Sequence, residues 1–250
     1  SNLLREKKIG QMDVEVSKFG YELPPKKIVD ICAEENAKSI AYTYNEPTIF
    51  FEYLYDTSKL AAEKGIKNVL VTNGYESDEA LNLLKPYLSA MNIDLKSFNE
   101  DFYKKICKAK LPLVLETIKL AHKLGIWIEI TTLIIPGKND SDSELKQIAG
   151  FIAGIDKNIP WHITAFHPDY KMDDIPHTSY NTLDNAYNIG KKVGLNYVYI
   201  GNIDDDERSN TYCQKCSSLL IKRNGYHIHI ENFENGICLK CNEKIAGVWK

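Results

Sequence analysis

The sequence predicts an α/β fold built on a parallel sheet. From about residue 38 to residue 200, short apolar runs alternate with amphipathic segments, and several of those segments stop at a glycine. Strands that alternate with helices run parallel, because each crossover returns the chain to the same edge. A further observation concerns the strand ends. Four apolar runs close on polar residues: Tyr44-Asn45-Glu46-Pro47, Thr72-Asn73-Gly74, Asp94-Leu95-Lys96 and Phe166-His167-Pro168. In a repeated βα protein such ends share one side, where ligands bind.

The elements follow in order. A helix over residues 25–36 precedes the first strand, 39–43. A helix over 48–64 carries Ile49, Phe50, Tyr53 and Leu54 at helical spacing, stops at Gly65 and leads to strand 67–72. A helix over 77–88 opens with a capping serine and an acidic first turn, ahead of strand 90–95. The helix over 113–124 ends at Gly125 before strand 127–134. The turn Pro136-Gly137-Lys138-Asn139-Asp140 introduces helix 142–155 and then strand 161–166. Helix 183–193 stops at Gly194, and strand 197–200 closes the series. Six strands are too few for a closed eight-stranded barrel, so an open or partial barrel and a doubly wound sheet both satisfy the pattern.

At 250 residues the chain can bury a large core and still carry an appendage. Lys and Arg number 31 against 34 Asp and Glu, a net charge of −3, which gives no electrostatic case for nucleic acid or an anionic membrane. No apolar stretch approaches the roughly 20 residues that span a bilayer. A soluble, cytoplasmic protein is expected. The acidic stretch Asp204, Asp205, Asp206 and Glu207 marks a boundary, with the α/β unit over 1–203 and a different module over 204–250.

That module carries four of the six cysteines, as Cys213-Gln214-Lys215-Cys216 and Cys238-Leu239-Lys240-Cys241. Two CxxC knuckles present four thiolates for tetrahedral coordination. Between them, residues 219–223 and 226–230 alternate like a hairpin around Asn224-Gly225. The pattern reads as a zinc ribbon, in which metal replaces the core that so few residues cannot build. Iron at a cysteine-only site is the chemical alternative, and a reducing compartment argues against disulfides. A site closed by four cysteines is structural. Cys32 and Cys107 lie in helical patterns as buried or half-buried small side chains.

At the strand tips, Asn92, Asp94 and Lys96 alternate with Met91, Ile93 and Leu95, so the acid and the ammonium share the face opposite the apolar set. Burying such a pair is costly unless partners or a charged ligand satisfy it. A self-satisfied ion pair is the structural alternative. Pro47 suits the first turn of the next helix, which puts Asn45 or Glu46 near its cap; beyond capping, they can face a ligand amine. His167 ends its strand, whereas His162 reads as structural. Thr131 and Thr132 place hydroxyls near another strand end. Together these groups suit an amino-acid-like zwitterion with a polar extension.

These residues, in this order, resemble the radical S-adenosylmethionine (SAM) superfamily, in the branch of pyruvate formate-lyase-activating-enzyme-like or AmmeMemoRadiSam-system proteins. The runs that carry it are Tyr42-Thr43-Tyr44-Asn45-Glu46-Pro47-Thr48, Val71-Thr72-Asn73-Gly74-Tyr75, Asn92-Ile93-Asp94-Leu95-Lys96, Thr131-Thr132-Leu133-Ile134-Ile135-Pro136-Gly137 and Phe166-His167-Pro168-Asp169-Tyr170, with Asn210-Thr211-Tyr212-Cys213 leading into the ribbon. It covers about residue 20 to the end. It implies a partial parallel α/β barrel of the radical SAM type. It also implies SAM as cofactor, with Asn45 and Glu46 at the methionyl amine, Thr72 and Asn73 at the next tip, and Asp94 and Lys96 near the carboxylate. His167 falls near the ribose and adenine, and Thr131 joins the same set.

One departure stands out. The family holds a [4Fe–4S] cluster on CxxxCxxC, and the six cysteines here include no such motif. As written, the chain is expected not to form the 5′-deoxyadenosyl radical. In the family the motif follows the first barrel strand, so a truncated parent is the first expectation and a clusterless relative the second. The implied parent would abstract hydrogen from a substrate of unassigned class, a protein among the candidates. Two rival readings are a Schiff-base aldolase-like barrel using Lys96 and a non-catalytic module that docks through its ribbon. From Cys213 to Lys250 six Lys and Arg face three Glu, without an arginine cluster, which gives nucleic acid little support.

Overall fold

The computed structural model describes residues 22–205, 207–225 and 227–249. Helix α1 (Pro25–Glu34) packs against the chain that follows. Then come β1 (Ser39–Tyr42), a single 3₁₀ turn (Pro47–Phe50), α2 (Phe51–Glu63), β2 (Lys67–Thr72), α3 (Asp78–Leu84), β3 (Leu88–Asp94), a short α-to-π turn over 100–107, α4 (Leu111–Lys123), β4 (Trp127–Ile134), α5 (Asp142–Ile155), β5 (Trp161–Ala165), α6 (Tyr180–Val193) and β6 (Val198–Gly201). All six strands pair in parallel in the order β1-β2-β3-β4-β5-β6. A doubly wound sheet reverses its order at a switch point. None occurs here, so the architecture is the open barrel and not the doubly wound alternative.

Alternation along the strands divides the two faces. Leu70, Met91, Ile93, Ile128, Ile130, Ile134, Trp161 and Ile163 are buried against the helices, in one continuous core. Their neighbours Asn92, Asp94, Glu129, Thr131, His162 and Thr164 are half-buried on the concave face. Burial of the apolar face at about 25 cal/mol per Å² drives the assembly and leaves the polar face free for other work.

The ends differ from expectation in physical detail. Helix α3 stops at Leu84 and not near residue 88, because Pro86 has no N–H with which to continue the ladder; Leu88 then joins β3. The glycines after α2, α4 and α6 all take positive φ, as helix-terminating glycines do. Among the described residues no helix is long and apolar enough to cross a membrane.

Beyond β6, β7 (Thr211–Tyr212), β8 (Leu219–Asn224) and β9 (His227–Ile230) form a small antiparallel sheet, and β10 (Phe233–Glu234) pairs with β11 (Ile237–Cys238). The Asn224-Gly225 turn closes the expected hairpin, although Tyr226 lies outside the described residues. This module has its own core of Leu220, Ile221, Phe233 and Ile245, and Tyr197 from the end of the barrel is part of it. Hydrogen bonds from Tyr197 to Gln214 and between Tyr199 and Thr211 continue that seam.

Candidate functional site

The tips of β1 to β5 meet at one mouth of the barrel. Glu46 caps the 3₁₀ turn after β1, as its position before Pro47 suggested, by accepting from Thr48. The same carboxylate also crosses to the next strand. Thr72 Oγ1 donates to its Oε1 at 2.7 Å and the Asn73 amide donates to its Oε2 at 2.8 Å. One side chain therefore caps the turn and links two strand tips. Thr72 is only 2% exposed and stands behind Glu46, positioning it. Asn73 folds its Oδ1 onto the Tyr75 amide in a local turn, and Asn45 is exposed at the rim. Gly74 has to be glycine: φ is +73°, and a Cβ would come within 2.7 Å of Ile93.

The Asp94–Lys96 pair forms as the alternation implied. Lys96 Nζ meets Asp94 Oδ2 at 2.6 Å, with the side chains 39% and 33% exposed. The pair satisfies itself and still faces the open mouth. Behind it the backbone is tightly held: Tyr103 accepts from the Lys96 amide, and the fully buried Asn139 donates to the carbonyls of Lys96 and Leu133 at 2.7 and 2.8 Å. Asp94 pairs in register with Thr131, whose hydroxyl donates to Asn92 Oδ1 at 2.8 Å. Thr132 points the other way, wholly buried, where it donates to the Leu95 carbonyl and accepts from Trp161. His167 is exposed just past β5, edge-on to His177 at 5.4 Å. Thr178 pins that strand end by donating to the Ile134 carbonyl and accepting from the Phe166 amide. His162 lies lower on the concave face, bonded to Glu129 and away from the tips.

Sequence reasoning missed Glu76. Among the described residues, both its carboxylate oxygens are buried without a hydrogen-bond donor. Thr72 Oγ1, the hydroxyl beside it, already spends its proton on Glu46. Burial, helped by the nearby Glu46 charge, pushes the Glu76 carboxyl up to about 7. Nothing in the local sequence marks it, because its isolation arises only when the β1 and β2 tips meet. Asn139 was read as part of a turn, and its clamp on β3 is equally tertiary.

Two implied groups can be tested against these residues. A ligand ammonium fits: Glu46 is held among the strand tips by Thr48, Thr72 and the Asn73 amide, and Glu76 offers oxygens that no described residue satisfies. An iron–sulfur cluster does not fit this chain, since Cys32 and Cys107 are isolated and the other four thiols gather in the ribbon. The sulfurs of Cys213, Cys216, Cys238 and Cys241 all lie within 4.8 Å of one another, with Cys213–Cys241 at 3.5 Å and Cys216–Cys238 at 3.7 Å. A tetrahedral zinc with bonds of about 2.3 Å sets sulfur–sulfur edges near ~3.8 Å. The four cysteines are thus arranged to hold a metal.

Known proteins resemble the chain in sequence and in fold. The model of the radical SAM superfamily matches residues 9–152. An uncharacterized protein of Methanocaldococcus jannaschii is 48% identical over 227 residues, covering 90% of this chain and 67% of that protein. The pyruvate formate-lyase-activating enzyme of Clostridium pasteurianum is 25% identical over 154 residues, covering 57% of this chain and 64% of the enzyme. The chain thus spans about two thirds of the length of these relatives. Among solved structures, a domain of a pyruvate-formate lyase-activating enzyme from Bacteroides vulgatus superposes with a TM-score of 0.58 at 21% identity, covering 65% of this chain and 98% of that domain.

Proposed function

This chain belongs to the radical SAM superfamily, and from that premise we propose that its strand tips form the SAM-binding face of an activating-enzyme-like radical enzyme. The observation that carries the reading is the Glu46 carboxylate, held by Thr72 and the Asn73 amide in the same mouth as Asp94 and Lys96. In the assignment we favour, Glu46 accepts the methionyl ammonium, with Asn45 at the rim and Glu76 as a second acceptor behind it. Lys96, steered by Asp94, meets the methionyl carboxylate, and Thr131 and His167 flank the nucleoside.

In the family, cluster-bound SAM is reductively cleaved to a 5′-deoxyadenosyl radical that abstracts hydrogen from the substrate. No step of that chemistry is assigned to residues of this chain, which contribute binding and orientation. By itself the chain is expected to bind SAM and leave it intact. The four cysteines hold a structural zinc in this reading, which keeps the ribbon seated on Tyr197.

Hydrogen–deuterium exchange with and without SAM tests the assignment. Protection is expected in residues 45–48, 72–76, 94–97 and 166–168, with the ribbon unchanged. Protection confined to the ribbon or to the opposite mouth would overturn it.

A further inference from the structure

The opposite mouth of the barrel holds a cavity of about 1290 Å³, walled by the amino-terminal ends of the strands on one side and by the ribbon on the other. The space is partly open to solvent, and ligand pockets usually run to about 300–1,000 Å³. This space is on the ligand scale or above it. Asn92, which accepts from Thr131, lines the cavity, while Asp94, one layer higher on the same strand, belongs to the tips.

Its walls are not bland. Trp127, Tyr199 and Trp249 all line it, and their orientations are fixed. Trp127 Nε1 donates to Glu129 at 3.0 Å, Tyr199 bonds Thr211, and Trp249 Nε1 donates to the Ile245 carbonyl. Lys38, Lys67 and Arg223 also line the space, against one carboxylate, Glu129, which is bonded to His162 and Trp127. Lys64, a fourth cation of the wall, is bound to Asp30. Lys38 and Lys67 are exposed at the rim and have no acidic partner among the described residues. Asn92 spends only its carbonyl oxygen on Thr131, so its amide hydrogens remain for an acceptor within the cavity.

We propose that this basal cavity is a second ligand site, separate from the SAM face, that takes a planar aromatic anion of about nucleotide size. Trp127 and Trp249 supply flat surface for stacking, since Tyr199 is already stacked on His162, and three cations against one carboxylate favour a sulfonate, carboxylate or phosphate.

The test uses the full chain with 8-anilinonaphthalene-1-sulfonate as the probe, adenosine monophosphate as one competitor and decanoate as another. Saturable binding of one equivalent is expected, displaced by the nucleotide and not by decanoate. Lys67→Glu and Lys38→Glu should each weaken the probe by about tenfold, since both add repulsion to a lost attraction. Lys96→Met, at the other mouth, should leave it unchanged. Near-ultraviolet circular dichroism identical across the variants excludes probe uptake by a loosened core. Failure to saturate, or indifference to both charge reversals, would overturn the site. Displacement by decanoate as strong as by the nucleotide would overturn the planar assignment.

Discussion

Glu46 and Thr72 lie 26 residues apart in sequence and meet at 2.7 Å, the hydroxyl of one strand tip donating to the carboxylate of the preceding one. The contact makes the placement of a half-buried loop acid depend on a residue buried in the sheet. A glutamate that merely capped a turn would need only Thr48. The bond to β2 ties that cap to the neighbouring strand tip.

Removing that hydroxyl should therefore be felt at a distance. Thr72→Val is expected to cost about 1–3 kcal/mol of stability, because Glu46 and the Gly74 amide both lose a partner. SAM affinity should fall as well, whereas Thr72→Ser keeps both. Chemical denaturation and a SAM titration on the pair of variants separate the two effects.

The Asp94–Lys96 pair makes the opposite forecast. Both side chains are about a third exposed, so the ion pair itself contributes only about 0–1 kcal/mol to folding. Lys96→Met should barely move the denaturation midpoint and yet weaken SAM by about tenfold or more, as expected on losing a charge-assisted contact to a carboxylate. Equal loss of both properties would mark the pair as purely structural. Borohydride in the presence of carbonyl compounds should trap no adduct on Lys96. An adduct would favour the Schiff-base reading.

Glu76 predicts a pH dependence whose sign follows from its environment. Its folded value, about 7, is raised above the ordinary 4.5, so the native state prefers the protonated acid. Stability contributed by this group is lost as pH rises through that window, and the full penalty, about 3 kcal/mol at most, holds above it. Glu76→Gln removes the penalty. The variant should be more stable than the parent at about pH 8 and nearly equal to it at about pH 5. Urea midpoints at the two values check it, and a constant difference would contradict it.

The ribbon should release one equivalent of zinc when its thiolates are titrated with an organomercurial. Cys216→Ser should lower metal retention and loosen the module, because small four-cysteine units draw much of their folding energy from the ion. Metal analysis that finds iron instead would change the identity of the ion but not the four ligands.

Much of this was legible in the sequence because it depends on local period. Met91 to Lys96 announced its two faces by simple alternation, and the glycines at 65, 125 and 194 announced helix ends through backbone freedom. The paired CxxC knuckles fixed the ribbon ligands by spacing alone. What escaped was tertiary. Asn139 looks like any turn residue until it clamps Lys96, and Glu144 looks like a first-turn acid until it accepts from Ser97, 47 residues away. Glu76 is unpaired only because two strand tips converge. The basal cavity exists only because Tyr197 and the ribbon core join. No periodicity encodes such meetings.

The most direct measurement is an isothermal titration of SAM into this chain, free of iron, beside its Glu46→Gln and Lys96→Met variants. Saturable binding of one equivalent is expected, weakened by each substitution, with SAM recovered intact afterwards. Absence of binding, or binding indifferent to both substitutions, would contradict the assignment of the strand tips.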